Sequence, residues 1–301
     1  MTRPRTWLRI GLRMGLLAAL LAAHAVPALA ESHVAPSETA AGAAAPGPGA
    51  GSAAGVGDPA AGPAAGPHVG QSAGPAAPAE APPPTLAQLQ TWEYGWSRDE
   101  RRQVQRALQL LGLYSSGIDG ILGRWSRTGI QAFQQRWADE ATGYLTPEQR
   151  ITLAVDAALE AERQAEAAAE RARAAAAAPN AEEHRYETGN VYRGDRDRKG
   201  YGVYEWTDGH RYEGGWDNTR DGFGMLILAN GWRYAGQWQD GIFIGHGVAE
   251  GADGTRQLGE WNVPQGTQFS AGLNGYGQIT AADGTVSRGL FAGSVLVPTA
   301  E

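Results

Sequence analysis

Tyr212-Glu213-Gly214-Gly215-Trp216, followed by Gly222-Phe223-Gly224 and Asn230-Gly231, is one unit of a repeat. Later units align beneath it: Tyr234, Gly236 and Trp238 with Gly245 and Gly247, then Gln257, Gly259 and Trp261 with Gly275 and Gly277. An earlier copy has Tyr192, Gly194 and Arg196 with Gly200 and Gly202, and the array ends in a half unit, Ser287-Arg288-Gly289-Leu290-Phe291. Turn signals close the units at Asp208-Gly209, Asn230-Gly231, Asp253-Gly254 and Asp283-Gly284. Self-similarity at a period of roughly 20 residues marks an architecture in which no unit buries its apolar face alone and neighbours must stack.

Within one unit, positions 212, 214 and 216 fall on the same face of a strand, so ring, bare backbone and ring alternate there. Gly-x-Gly opens the returning strand in the same way, and Asn-Gly or Asp-Gly supplies the positive φ of a tight hairpin. Each unit is therefore predicted to be a β-hairpin. The pattern resembles the MORN repeat over roughly residues 184–293. That resemblance implies one elongated, twisted, single-layer antiparallel sheet. Three positions depart from the pattern: Arg196 stands in place of a tryptophan, Gln257 in place of a tyrosine, and the interval from Trp261 to Gly275 is stretched, which predicts a protruding loop at 262–274.

The chain has 301 residues, a formal net charge of -7 and no cysteine. Disulfides, thiol nucleophiles and Cys-type zinc sites are excluded, and the charge argues against nucleic acid as a partner. Residues 1–30 have a basic start, an apolar run from Met14 to Ala23 and Ala28-Leu29-Ala30 before Glu31, the pattern of a secretory signal peptide. Residues 31–85 are mostly Ala, Gly and Pro and cannot build a core, so a disordered linker is expected there. An uncleaved leader would turn that linker into a tether from the membrane.

Globular character returns at Leu86. Ser97 with Glu100 forms a capping box for a helix buried through Val104, Ala107, Leu108 and Leu111 and stopped at Gly112. Ser126 is predicted to cap a second helix buried through Ile130, Phe133 and Trp137, and Thr146-Pro147 opens a third. The order Gln105 to Gly112, Gly117-Ile118-Asp119-Gly120, Gly123, Ser126, Phe133-Gln134 and Thr142-Gly143-Tyr144-Leu145-Thr146 resembles the three-helix peptidoglycan-binding domain, over residues 97–153 of a predicted domain 86–153. Gly129 is expected to weaken the second helix by about 1 kcal/mol relative to alanine. Residues 154–180 are Ala-rich with charges interspersed and are predicted to be a helical spacer between that domain and the array at 181–293, with a short tail at 294–301. The fold class is thus multidomain α plus β.

No Gly-x-Ser-x-Gly, phosphate-binding glycine loop or His-Glu-x-x-His is present, so the sequence predicts a non-enzyme with no cofactor. His184, His210 and His246 could meet as a metal site across the sheet, but lone histidines on strands are usually surface residues, and no metal is expected. In the helical domain Asp119, Arg124, Trp125, Arg127, Gln134 and Tyr144 are the candidate peptidoglycan contacts, since arginine forks suit stem-peptide carboxylates and flat rings suit sugars. In the array Tyr192, Tyr212, Trp216, Tyr234, Trp238 and Trp261 have two readings: packing between hairpins, or an accessible groove for a peptide, glycan or partner strand.

Acids outnumber bases over 184–293, and the one basic cluster, Arg193, Arg196, Arg198 and Lys199, alternates with Asp195 and Asp197. A protein partner for the array is therefore expected ahead of membrane lipid. The combined reading is an exported, periplasmic, cell-wall-associated scaffold. Its alternatives are a membrane-associated lipid-binding protein and a targeting or regulatory subunit of a cell-wall hydrolase.

Overall fold

A computed structural model of the protein describes residues 82–262 and 272–298. The predicted leader, almost all of the predicted linker and the body of the predicted loop lie outside these residues.

The helical part comprises α1 (Leu86–Tyr94), α2 (Arg98–Leu110), α3 (Arg124–Arg136) and α4 (Pro147–Ala177). Ser97 caps α2 and Thr146 caps α4, each within a complete capping box, and Pro147 occupies the first turn of α4. Gly112 ends α2 with φ +71°. Val104, Ala107, Leu108, Ile130, Phe133, Leu145, Leu153 and Ala157 form the core between α2, α3 and the start of α4.

Three details differ from expectation. The helix α3 begins at Arg124 with Gly123 as its cap residue, and Ser126 is instead buried against Gln105. Trp137 stands at the end of α3 partly exposed, its Nε1 donating to Asp156 at 3.1 Å. Gly129 is required by packing: a Cβ there would lie 2.7 Å from the Leu113 carbonyl oxygen and 3.3 Å from Leu108 Cδ1. What propensity loses in α3 is offset by the close approach of the loop after α2.

Eleven strands follow in one antiparallel sheet whose spatial order is the sequence order. They are β1 (Glu182–Arg185), β2 (Val191–Gly194), β3 (Lys199–Glu205), β4 (Arg211–Asp217), β5 (Thr219–Ile227), β6 (Arg233–Gln239), β7 (Ile242–Glu250), β8 (Arg256–Asn262), β9 (Gly275–Thr280), β10 (Val286–Ala292) and β11 (Val295–Leu296). Residues 295–296, assigned to a tail from the sequence, pair with β10. The turn glycines 209, 231, 254 and 284 all have φ between +84° and +96°, as tight hairpins require.

Register sets the two faces. Gly194, Gly202, Gly214, Gly224, Gly236, Gly247, Gly259, Gly277 and Gly289 pair in succession, an unbroken row of glycine across β2 to β10. The tyrosine rings lie over this row: a Cβ at Gly202 would meet the Tyr192 ring at 2.4 Å, at Gly224 the Tyr212 hydroxyl at 2.3 Å, and at Gly247 the Tyr234 hydroxyl at 2.5 Å. One residue along each strand, the opposite face presents Val203, Glu213, Met225, Ala235, Val248, Leu258 and Gln278 in a second continuous row.

That second face is covered by α4, which touches every strand from β2 to β10. The segment expected as a helical spacer over residues 154–180 is helical to Ala177 and lies along the sheet. Ala158, Ala161, Ala165, Ala168, Ala169 and Ala172 are buried along it, and their small side chains let the helix lie close against the strands. At 1.5 Å per residue its 31 residues extend roughly 46 Å, enough to cross nine strands spaced about 4.8 Å apart. The first turns of α4 serve both cores, Leu153 and Ala157 facing the helices and Ile151 and Val155 facing Val248 and Leu258 of the sheet, so a boundary at 153 cuts through one continuous helix.

Candidate binding sites

The two loops of the helical domain are built alike. Gln105 is buried, accepts the Gly120 N–H at 2.7 Å and donates to Asp119 at 2.8 Å, while Gln134 is buried, accepts the Gly143 N–H at 2.9 Å and donates to the Tyr144 carbonyl at 2.9 Å. Gly120 and Gly143 share φ +77°. Asp119 also accepts the Ile121 N–H, and the Gln105 amide, then this N–H, holds its carboxyl below the usual carboxylate range. Asp119 and Gln134, candidate ligand contacts from the sequence, both staple these loops, Asp119 at the surface and Gln134 buried.

The remaining four candidates fall into two places. Trp125 is 64 % exposed at the start of α3, with the Arg124 guanidinium 5.3 Å from its ring centroid and Ile121 also exposed two residues before the helix cap. Arg127 lies with its guanidinium carbon 3.8 Å from the Tyr144 ring centroid, donates to the Gly143 carbonyl at 3.0 Å and forms a two-pronged ion pair with Glu93 of α1.

In the array the accessible-groove reading is overturned. Tyr192, Tyr212, Trp216, Tyr234, Trp238 and Trp261 are all buried. They form a zigzag of edge-to-face contacts, Tyr192 to Trp216 at 5.2 Å, Trp216 to Tyr212 at 5.3 Å, Tyr212 to Trp238 at 5.0 Å, Trp238 to Tyr234 at 5.6 Å and Tyr234 to Trp261 at 5.2 Å. Trp216, Trp238 and Trp261 donate from Nε1 to the carbonyls of Gly202, Gly224 and Gly247, each on the preceding strand. Tyr192, Tyr212 and Tyr234 donate to the carbonyl three residues on. Burial pushes the Tyr212 and Tyr234 hydroxyls well above the usual phenol range. Rings that satisfy their polar atoms internally and pack edge to face close their own surface without a second layer.

The irregular fourth unit keeps this construction by other means. Gln257 takes the tyrosine position, and Leu273 supplies the apolar cover, with its methyl carbons 3.2 Å and 3.0 Å from where Cβ atoms of Gly259 and Gly277 would be. The Gln257 side-chain Oε1 accepts from the Leu273 N–H at 3.3 Å and the Ser294 hydroxyl at 2.7 Å.

Within the predicted basic cluster Arg193 meets Glu183 and Glu205, Lys199 meets Asp217 in an exposed pair, and Arg198 donates to the Tyr186 hydroxyl. The shallow cleft at the end of α4 is lined by Arg173, Arg193 and Arg211, all of which are bound by glutamates. His184 is on β1, His210 precedes β4 and His246 is on β7, so they do not converge.

The most heavily buried charges were not singled out from the sequence. Arg150 of α4 and Glu260 of β8 form an ion pair with both side chains at or below 1 % exposure. The Arg150 guanidinium also lies 4.7 Å from the Tyr276 ring centroid, and Glu260 accepts the Tyr276 N–H at 3.2 Å. Burial raises the Glu260 carboxyl. Its cross-strand neighbour His246 is fully buried with no hydrogen-bond partner on either ring nitrogen, and burial, then Arg150 and Arg106, pushes it down to about 3. Spacing could not have found this group, because its members lie far apart in sequence.

Residues 97–153 match the family model of the putative peptidoglycan binding domain, and residues 197–211, 212–233, 234–256 and 268–286 match that of the MORN repeat. No curated protein matches the chain. The chain therefore carries a peptidoglycan-binding domain followed by MORN repeats, both of them binding modules rather than catalytic ones. The repeat geometry begins before the first match, at Tyr192, whose ring covers Gly202 as later tyrosines cover their glycines.

Proposed function

We propose that the protein is an exported, non-enzymatic scaffold that holds to peptidoglycan through the helical domain and carries a stiff repeat array beside it. The observation that carries this reading is the exposed Trp125 with the Arg124 guanidinium over its ring, inside a stretch that matches a peptidoglycan-binding family. A large ring left in solvent beside the exposed Ile121 is suited to a sugar face, and the neighbouring guanidinium to a stem-peptide carboxylate. The leader pattern at residues 1–30 supports a periplasmic location. No helix among the described residues is long and apolar enough to cross a membrane.

For the array, closure of both sheet faces leaves hairpin turns and edge strands as the surfaces for a protein partner. Because α4 is shared, a partner held there would sit in a fixed relation to the wall-binding domain. The test is co-sedimentation of the full chain with purified sacculi. The chain should pellet, and Trp125→Ala, which removes an exposed ring and leaves the core intact, should weaken retention by roughly tenfold, about 1.4 kcal/mol. A full chain that stays in the supernatant overturns the reading.

A further inference from the structure

The helix α1 lies before the stretch that matches the peptidoglycan-binding family, yet it reaches into that domain at one place. Both oxygens of Glu93 engage the terminal nitrogens of Arg127, and the Gln90 amide donates to the Tyr144 hydroxyl at 3.3 Å. The Arg127 fork is thereby fully prepared for a carboxylate. It projects from α3, is stacked on Tyr144 and is anchored on the carbonyl of Gly143, whose loop is fixed by Gln134. A planar fork held this way binds carboxylates in two-pronged fashion, whichever molecule supplies them.

The element that supplies Glu93 is weakly held. The nine residues of α1 bury only Leu89, while Trp92 and Tyr94 are exposed, the latter at 91 %. A helix below about 12 residues is marginal without tertiary support. Such an element can leave its site at small cost, whereas α2, α3 and α4 contribute the core.

We propose that Arg127 and Tyr144 form a carboxylate-binding subsite for peptidoglycan stem peptides, and that α1 is a lid whose Glu93 occupies the subsite until a ligand carboxylate displaces it. This rests on the reading of the domain as a peptidoglycan binder. Ligand and Glu93 compete for one guanidinium, so the lid sets a threshold for binding, and release frees the segment that precedes residue 95.

The experiment measures retention on purified sacculi by the full chain and two variants, with hydrogen exchange over residues 86–94. Glu93→Gln weakens the lid and should tighten binding by roughly tenfold. Arg127→Gln removes the subsite and should weaken binding below wild type, and sacculi should raise amide exchange in α1 of the wild type. Sacculi with chemically amidated stem carboxylates give the same answer without Arg127→Gln, should that variant fold poorly: retention of the wild type should fall. If the wild type pellets but Glu93→Gln binds no more tightly, or α1 exchange is unchanged by sacculi, the lid is overturned. If wild type and Glu93→Gln both melt normally and neither pellets, the underlying peptidoglycan reading has failed, and the lid with it.

Discussion

The two faces of the sheet solve the same problem in opposite ways. On one, rings repeated in register cover a row of glycines and satisfy their own polar atoms, so the face is closed by local sequence alone. On the other, a mostly aliphatic row with Glu213 and Gln278 in it meets a helix that arrives from the preceding domain, and the contact is fixed by Arg150 with Glu260, Arg173 with Glu213 and Arg256 with Glu162. Closure by rings is modular and tolerates a variable number of units. Closure by a helix is not modular, and it welds the array to the domain whose core α4 completes.

The largest expected effect separates these modes by rescue. Trp238→Ala should cost about 3–5 kcal/mol in denaturant unfolding, since a buried ring is lost from the middle of the zigzag and its neighbours cannot collapse. Glu260→Leu should cost about 3 kcal/mol by leaving Arg150 buried and unpaired, yet adding Arg150→Met should return stability to within about 1–2 kcal/mol of wild type. If Glu260→Leu alone is harmless, the helix face is not held as described, and the contrast between the faces fails.

A smaller effect sharpens the comparison through pH, because only the helix face buries a histidine. The groups that face His246 are Glu260 on β8, Arg150 on α4 and Arg106 on α2. With a folded value of about 3 against an ordinary 6.5, His246 contributes stability that is complete above pH 6.5 and is lost as pH falls toward 3. Between pH 7 and pH 5 the loss from this one group is about 2 kcal/mol. Glu260, whose carboxyl is raised by burial, works in the opposite sense, so the quantity to measure is the difference in unfolding free energy between wild type and His246→Leu across that range. A pH-independent difference would mean that His246 takes up its proton without leaving its buried place.

The ring face was legible in the sequence because its cause is local: Tyr-x-Gly-x-Trp places ring, gap and ring on one side, and Asp-Gly or Asn-Gly fixes the register that carries the pattern from strand to strand. The capping boxes at Ser97 and Thr146 were legible for the same reason. The helix face was not. Its row of Val203, Glu213, Met225, Ala235, Val248 and Leu258 recurs once per strand but in no common residue type, and the alanines of α4 report helix propensity without showing what they touch. Accessibility of the rings was misjudged by counting layers: edge-to-face packing over glycine removes them from solvent without a second layer. In the candidate peptidoglycan site, Trp125 could be named from the sequence, but neither the pairing of Arg127 with Glu93 nor the stapling role of Gln134 has a sequence signature.

The finest test concerns the one unit where ring closure was rebuilt. Leu273 is fully buried and covers Gly259 and Gly277, the task that Tyr234 performs for Gly236 and Gly247, while Gln257 holds the Leu273 backbone in place. Leu273→Ala should therefore open a cavity over bare backbone. In that background Gln257→Tyr places a ring where its counterparts lie and should recover about 1 kcal/mol, whereas in the wild type, where Leu273 already fills the space, it should be destabilising. The sign reversal between the two backgrounds, read from a double-mutant cycle, is the decisive feature. If Gln257→Tyr has the same sign in both, Leu273 is not the tyrosine's substitute, and the fourth unit follows a rule of its own.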